Sequence, residues 1–175
     1  MKSTSTTYGT VAVSIHWLSA ILIIALLISG FRAATLDAET LKVSVLAIHA
    51  PMGIAVLLLT LFRILWWGLV DRKPAKHGNS PIWQVRTAIL VHVLLYIVTL
   101  GMVASGIGMM ALSGAGKVIF GGSSSSLPDF WDFKPRVPHG IGARVLLLLL
   151  ALHVGAALYH QFIKKDGSFR RIWFN

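Results

Sequence analysis

Long apolar runs separated by short polar segments dominate the chain. Four of them, at about residues 11–31, 43–70, 85–112 and 139–163, reach the roughly 20 residues that a helix needs to cross a bilayer. Lipid offers the backbone no hydrogen-bonding partner, so only helices and closed barrels span a membrane, and continuous runs of this length indicate helices. The pattern predicts an all-α membrane protein whose single domain, residues 1–175, is an up-down-up-down bundle of four transmembrane helices.

Composition supports burial in lipid. Hydrophobic residues make up 55% of the chain and charged residues only 13%, about half the share usual in a soluble domain. The net charge of +10 does not indicate nucleic acid, because the basic residues lie between the apolar runs. The absence of cysteine excludes disulfides, iron–sulfur clusters, and thiolate-bound or thioether-linked haem. The first run is too long for a signal-peptide core and is interpreted as a retained helix.

The distribution of lysine and arginine predicts the orientation, because cytoplasmic loops carry the excess. The side with both termini and the second loop has ten such residues, and the other side has six. Both termini are therefore predicted to be cytoplasmic. The richer side comprises Lys2, Arg63, Arg72, Lys73, Lys76, Arg86, Lys164, Lys165, Arg170 and Arg171. The outer loop 113–138 is the longest connection, and a loop of that length is either disordered or functional.

Histidines are the candidate functional residues. Of the seven, all but His77 of the polar second loop fall in or at the edge of an apolar run. Ionisable groups inside a membrane are costly and usually functional. For any single one of these histidines, a neutral ring hydrogen-bonded between helices is as good an explanation as a functional role. Six in four helices favour a shared role.

Their depths predict two pairs. His139 and His153 lie fourteen residues apart on the fourth helix, on about the same face and about 21 Å apart. His49 enters from the outer side, level with His139, and His16 lies in the cytoplasmic half, nearer the depth of His153. Two pairs at two depths suit two haems stacked across the bilayer.

Small side chains one turn from these histidines would let a porphyrin lie against the helix, although membrane helix interfaces favour small residues anyway. His92 has the bulkier Leu95 and Tyr96 instead and is interpreted as a buried polar contact or a propionate partner. The small neighbours of the other four histidines are Ala12, Ser19, Ala20, Gly53, Gly142, Ala156 and Ala157.

Three further residues are candidates for the surroundings of the haems. Arg63 is placed to bind the propionates of the inner haem and Arg144 those of the outer one, with an interfacial charge that sets topology as the equal alternative for each. His160 shares a face with His153 near the inner surface. It suits a quinone contact or support of a haem ligand, and a snorkelling surface histidine is the alternative.

Taken together, the segments YGTVAVSIHWLSA, IHAPMGIAVLLLTLFRILWW, ILVHVLLY and HGIGARVLLLLLALHVGAALYHQFIKKDGSFRRI resemble the bacterial cytochrome b561 family, which is related to the haem b subunits of nickel hydrogenases. They come from all four helices in order and cover most of the chain. The resemblance implies two haem b groups, with His16 and His153 binding the inner iron and His49 and His139 the outer iron.

The resemblance also implies a location in the bacterial inner membrane and electron exchange with ubiquinone. It further implies oxidation of superoxide at the periplasmic face. Whether the chain is an enzyme is left open, and a superoxide:quinone oxidoreductase is the favoured interpretation. An iron held by two histidines has no open position and passes single electrons. Positively charged side chains of the outer loop and the start of the fourth helix would attract the superoxide anion, and Asp129 and Asp132 in the same loop weaken this attraction. The positive residues are Lys117, Lys134, Arg136 and Arg144.

Two other functions compete with this one. The chain is alternatively the membrane anchor and electron conduit of a partner dehydrogenase or hydrogenase, which predicts co-purification with a redox subunit. A haem-free metal or proton transporter using the histidines is the third possibility. It predicts a colourless protein and favours carboxylates inside the bundle, whereas all six acidic residues lie at the loops.

Overall fold

A computed structural model describes residues 2–75, 81–122 and 125–173, and Lys76 and His77 fall outside these ranges. Every regular element in the described residues is helical. The helices are α1 (Thr10–Thr35), α2 (Glu39–Leu65), α3 (Ile82–Ser113), α4 (Gly116–Ile119) and α5 (Arg136–Leu158). A π-helical turn extends α2 over Trp66–Val70 and another extends α5 over Tyr159–Lys164; short 3₁₀ turns cover Phe130–Asp132 and Phe169–Ile172.

Four helices are long and apolar enough to cross a membrane, which confirms the predicted fold class. They cover Thr10–Thr35, Glu39–Val70, Ile82–Ser113 and Arg136–Lys164. Each begins before the predicted apolar run because polar residues at the membrane boundary continue the helix. Large apolar side chains remain exposed along them, such as Ile28 at 65% and Leu58 at 61%. A surface of this kind is suited to contact with lipid.

The four spanning helices pack as two antiparallel pairs. Helix α1 packs extensively on α2, and α3 packs extensively on α5, whereas the contacts between α2 and α3 are fewer. Val13 of α1 and Val56 of α2 are the largest fully buried side chains in the described residues. The histidines of α1 and α2 extend from one pair toward α5 of the other, so the candidate site lies between the pairs.

The end of the bundle that carries the termini is closed by hydrogen bonds between distant segments. The buried carboxylate of Asp71 accepts from the backbone nitrogen and the hydroxyl of Ser3 and from the indole of Trp66. The Arg171 side chain donates to the carbonyl oxygens of Thr6 and Ala75 at 2.7 and 2.8 Å. The N-terminal segment, the chain after α2 and the C-terminal segment therefore form one layer over this end.

The loop between α3 and α5 is partly ordered in the described residues. Gly114 ends α3 at φ 66°, a left-handed conformation that glycine adopts without strain. The short helix α4 then packs against α2, with Ala115 fully buried and Ile119 nearly so. The Asp129 side chain accepts from the backbone nitrogen of Trp131 at 2.9 Å, and the Arg136 guanidinium stacks over the Trp131 ring. The loop thus folds back over the other end of the bundle.

Candidate haem sites

His49 of α2 and His139 of α5 form a pair, here called the loop-side pair, near the end that carries the α3–α5 loop. Their ring centres lie 6.3 Å apart. The Ser29 hydroxyl is 2.9 Å from His49 Nδ1 and 2.7 Å from the carbonyl oxygen of Ala25. The Ser29 hydroxyl donates its one proton to that carbonyl oxygen, so Ser29 Oγ accepts a hydrogen bond from His49 Nδ1–H. This arrangement leaves His49 Nε2 unprotonated and available to a metal.

The other ring of the loop-side pair is held in the same tautomer from α3. His139 Nδ1 lies 2.9 Å from Ser105 Oγ and 3.1 Å from the carbonyl oxygen of Met102. Ser105 Oγ also donates to Met102 O at 2.9 Å. A carbonyl only accepts, so Nδ1 carries the proton and Nε2 is the free nitrogen. Support of this kind orients a metal-binding histidine and raises its basicity.

His16 of α1 and His153 of α5 form a second pair, here called the terminal-side pair, near the end that carries the termini. Their ring centres lie 6.2 Å apart. Arg63 Nη2 donates to His16 Nδ1 at 3.3 Å, and its guanidinium lies 5.8 Å from the centre of the Tyr96 ring. A neutral histidine that accepts at Nδ1 carries its proton on Nε2. Iron binding through Nε2 therefore requires the guanidinium to move off the ring, which frees it for a carboxylate.

The separation of the rings fits an iron between them. An imidazole nitrogen binds a transition metal at about 2 Å, so two opposed ligands place their ring centres about 6 Å apart. The two pairs lie at 6.3 and 6.2 Å. Each pair supplies two nitrogens, the number that a haem iron takes in addition to its four porphyrin nitrogens. The donor set therefore suits two haems with two histidine ligands each.

Space for a macrocycle depends on the small residues near the candidate ligands. A β-carbon built on Gly53 would meet nothing within 4 Å. At Gly142, by contrast, the thioether of Met102 occupies the space, with its sulfur 2.6 Å from the position of a β-carbon. Methionine is flexible enough to turn aside. The open space predicted from small residues is thus found at Gly53, and at Gly142 it depends on Met102.

His92 of α3 belongs to the same cluster as the terminal-side pair. Its ring centre lies 5.0 Å from that of His153, and its Nδ1 bonds to the carbonyl oxygen of Ala88 at 2.6 Å. A separation of 5.0 Å is shorter than two ligands of one metal require. His92 therefore packs against a candidate ligand, but its side chain is exposed, so its role as a buried polar contact or propionate partner stays a prediction.

Arg144 and His160 form hydrogen bonds with groups other than the four candidate ligands. Arg144 is exposed and its Nη1 donates to the carbonyl oxygen of Gly140, one turn back on α5, at 2.8 Å. Gly140 directly follows His139, and the role of Arg144 toward the outer haem stays a prediction. His160 Nδ1 bonds to the carboxylate of Asp166. Partial burial raises the pKa of Asp166, but the hydrogen bonds from His160 and Ser168 outweigh this and lower it to about 2.

A groove of about 350 Å³ lies at the terminal end of the bundle and is lined by Gln161, Phe169, Arg170 and Trp173. The Trp17 ring packs against Phe169 and Trp173, with ring centres 6.3 and 5.2 Å away. Trp17 follows His16 in sequence, and their ring centres are 5.5 Å apart. An aromatic path thus leads from the terminal-side pair to the groove.

Sequence reasoning missed the residues that orient the loop-side pair. Ser29 and Ser105 lie inside apolar runs, and a hydroxyl there at the depth of a candidate ligand is the signal that would have found them. Two glycines give the rings their space. A β-carbon on Gly30 would lie 3.1 Å from His49 Cε1, and one on Gly106 would lie 3.4 Å from His139 Cε1.

Residues 7–175 match the family model described as prokaryotic cytochrome b561. The chain is 32% identical to cytochrome b561 homolog 1 of Escherichia coli K12 over 120 residues, which is 62% of this chain and 68% of that protein. It is 27% identical to cytochrome b561 homolog 2 of the same organism over 94% of this chain and 90% of that protein. It is 25% identical to the probable superoxide oxidase CybB of Yersinia pestis over 94% of each chain.

Proposed function

Because the chain belongs to the prokaryotic cytochrome b561 family, a family of haem b electron carriers in bacterial membranes, we propose that it binds two haems and carries single electrons between a periplasmic donor and ubiquinone. The terminal-side pair binds one iron and the loop-side pair the other. In this proposal the termini are cytoplasmic, so the loop-side pair is the outer one.

The observation that carries the proposal is the presence of two histidine pairs with nearly equal ring separations, 6.2 and 6.3 Å. Each pair joins α5 to a helix of the other helix pair. When bound, each haem supplies an iron that alternates between ferric and ferrous and so carries one electron. With two histidines on each iron, no ligand position would be left open for oxygen, which would favour electron transfer over oxygen binding.

At the terminal end, Arg63 and His160 have separate roles in the proposal. Arg63 would leave His16 when iron binds there and would hold a propionate carboxylate, with which a guanidinium can form paired hydrogen bonds. His160, bonded to Asp166, contacts the quinone and delivers protons from the cytoplasmic side. The adjacent groove, with aromatic and polar walls, suits a quinone head group.

The donor side is assigned to the loop end. A relative that this chain resembles over 94% of its length is named a probable superoxide oxidase, and superoxide is the donor that we propose. The cations Lys117, Lys134 and Arg136 of this end favour the approach of an anion, with Asp129 and Asp132 opposing them. Arg144 remains a candidate for the propionates of the outer haem.

The test is a haem count on the purified chain, made by pyridine haemochrome together with a reduced-minus-oxidised spectrum. About two b-type haems per chain are expected. A colourless protein, or one haem per chain after expression with ample haem, would contradict the proposal.

The alternative role as the membrane anchor of a partner dehydrogenase or hydrogenase is separated by activity. The isolated chain is expected to reduce a short-chain ubiquinone when superoxide is generated enzymatically. Full haem content without this activity, together with a redox subunit that stays bound through purification, would favour the conduit role.

A further inference from the structure

The two histidine pairs differ in what their Nδ1 atoms contact. At the loop-side pair, both rings direct Nδ1 to a serine hydroxyl 2.9 Å away, from Ser29 and Ser105. At the terminal-side pair, the hydrogen bond to His16 Nδ1 comes from the guanidinium of Arg63. One site thus has hydrogen-bond acceptors behind both ligands, whereas at the other the group beside His16 Nδ1 is a donor that would leave the ring when iron binds.

This difference acts on the electronic character of a ligand. An imidazole whose Nδ1–H donates to an acceptor is more basic, and a more basic ligand stabilises ferric over ferrous iron. Hydrogen bonding around the ligands is one of the means by which a protein sets the reduction potential of haem.

We infer that Ser29 and Ser105 are positioning residues that hold the loop-side haem at a lower reduction potential than the terminal-side haem, and so direct electrons from the loop end toward the termini. The inference rests on the proposed binding of two haems. Electrons move spontaneously toward the higher potential, so the serines favour transfer from a periplasmic donor to ubiquinone.

The two serines are expected to contribute unequally. His139 Nδ1 has a second acceptor, the Met102 carbonyl oxygen at 3.1 Å, which remains when Ser105 is replaced. For His49 Nδ1 the hydroxyl of Ser29 is the acceptor that the structure provides. Ser29→Ala should therefore raise the potential of the loop-side haem more than Ser105→Ala does.

The experiment is a spectroelectrochemical redox titration of the purified two-haem protein, fitted with two one-electron components. Ser29→Ala is compared with Ser105→Ala, Ser29→Thr and the control Ser44→Ala. Ser44 donates to the Thr40 carbonyl oxygen at 2.9 Å, as Ser29 does to that of Ala25, and contacts no candidate ligand. Thr at position 29 retains a hydroxyl that bonds the preceding turn.

We expect the lower of the two potentials to rise in Ser29→Ala, to rise less in Ser105→Ala, and to stay near the wild-type value in Ser29→Thr and Ser44→Ala. The higher potential should stay fixed throughout. Equal shifts in Ser29→Ala and Ser44→Ala, or a shift of the higher component, would overturn the inference. Loss of a haem from Ser29→Ala would also overturn it, because a tuning residue leaves ligation intact.

These results separate the inference from the proposed function. If the wild-type chain binds fewer than two haems, the proposed function fails before any variant is made. If it binds two haems and neither serine variant shifts the lower potential, only the inference fails.

Discussion

The ring of His92 lies closer to the ring of His153 than the ring of His16 does, with centres 5.0 Å and 6.2 Å apart. Proximity alone would assign His92 and His153 as the ligand pair. The shorter distance argues against this, because an iron between two imidazoles needs their centres about 6 Å apart. His92 is instead placed to pack beside a ligated His153 and to adjust its surroundings.

Replacing His92 with glutamine should therefore leave both haems in place. We expect about two haems per chain by pyridine haemochrome, with a shifted potential for one component, because the neighbour of a ligand changes and the ligand does not. His153→Gln is the matched comparison and should lose a haem. A His92→Gln protein with a single haem would instead make His92 a ligand.

The four proposed ligands should fall into two groups when each is replaced by alanine. His49→Ala and His139→Ala should lose the same spectral component, and His16→Ala and His153→Ala the other, each leaving about one haem per chain. His160→Ala is the control with two haems retained. The low-temperature α-band and the redox titration identify which component is lost. If the single variants His16→Ala and His139→Ala lost the same spectral component, the pairing would be contradicted.

Much of the fold can be predicted from the sequence because membrane-spanning helices are recognised by their length and apolar composition. The run predicted at 85–112 is observed as Ile82–Ser113, and the other three agree to a similar degree. Which helix packs against which cannot be predicted from the sequence in the same way. Apolar faces suited to lipid and to a neighbouring helix have similar composition. The close packing of α3 on α5 therefore emerges only in three dimensions.

The candidate site was predictable in its main chemical groups and less so in their surroundings. Histidine depth brings His49 to the level of His139, and the structure sets their rings 6.3 Å apart. The role of Ser29 depends on the rotation of α1 about its own axis, which a nearly uniform apolar sequence leaves undetermined. The hydrogen bond from Arg144 to the Gly140 carbonyl oxygen likewise depends on a side-chain conformation that the sequence leaves undetermined.

Asp71 should stabilise the layer that closes the terminal end. Burial raises the pKa of Asp71, but the hydrogen bonds from Ser3, Arg72 and Trp66 outweigh it and hold the pKa below 3.8. A carboxyl with a lowered pKa stabilises the folded state above its unfolded pKa, and the contribution is lost as the pH falls through the folded value. Asp71→Asn should therefore lower the free energy of unfolding at neutral pH by about 1–3 kcal/mol.

Thermal unfolding of the Asp71→Asn variant in detergent, followed by tryptophan fluorescence, measures this effect. The difference from wild type should be constant at neutral pH and should shrink as the pH falls below about 4, the ordinary pKa of aspartate in the unfolded chain, and through the lower pKa of the folded state. Asp132→Asn, an exposed position at the other end, is the control and should unfold like wild type. Equal stability of Asp71→Asn and wild type at pH 7 would show that the carboxylate is dispensable there.

Asp166 should matter for quinone reduction more than for haem binding. The pKa of Asp166, lowered to about 2 by its hydrogen bonds despite partial burial, keeps it anionic at physiological pH. An anionic carboxylate fixes the proton of His160 on Nδ1 and supports the imidazolium that forms when the ring takes up a second proton for the quinone.

Asp166→Asn removes that charge and keeps the shape of the side chain, so the reoxidation of reduced protein by a short-chain ubiquinone should slow by about tenfold or more in stopped-flow measurements. Haem content and both potentials should stay as in wild type, since neither pair contacts Asp166. His160→Gln should slow the reaction to the same extent, and the double variant no further, because the two residues act as one unit. Asp132→Asn serves as the control with an unchanged rate. An unchanged rate in Asp166→Asn would place the protonation of quinone elsewhere and leave His160 as a surface residue.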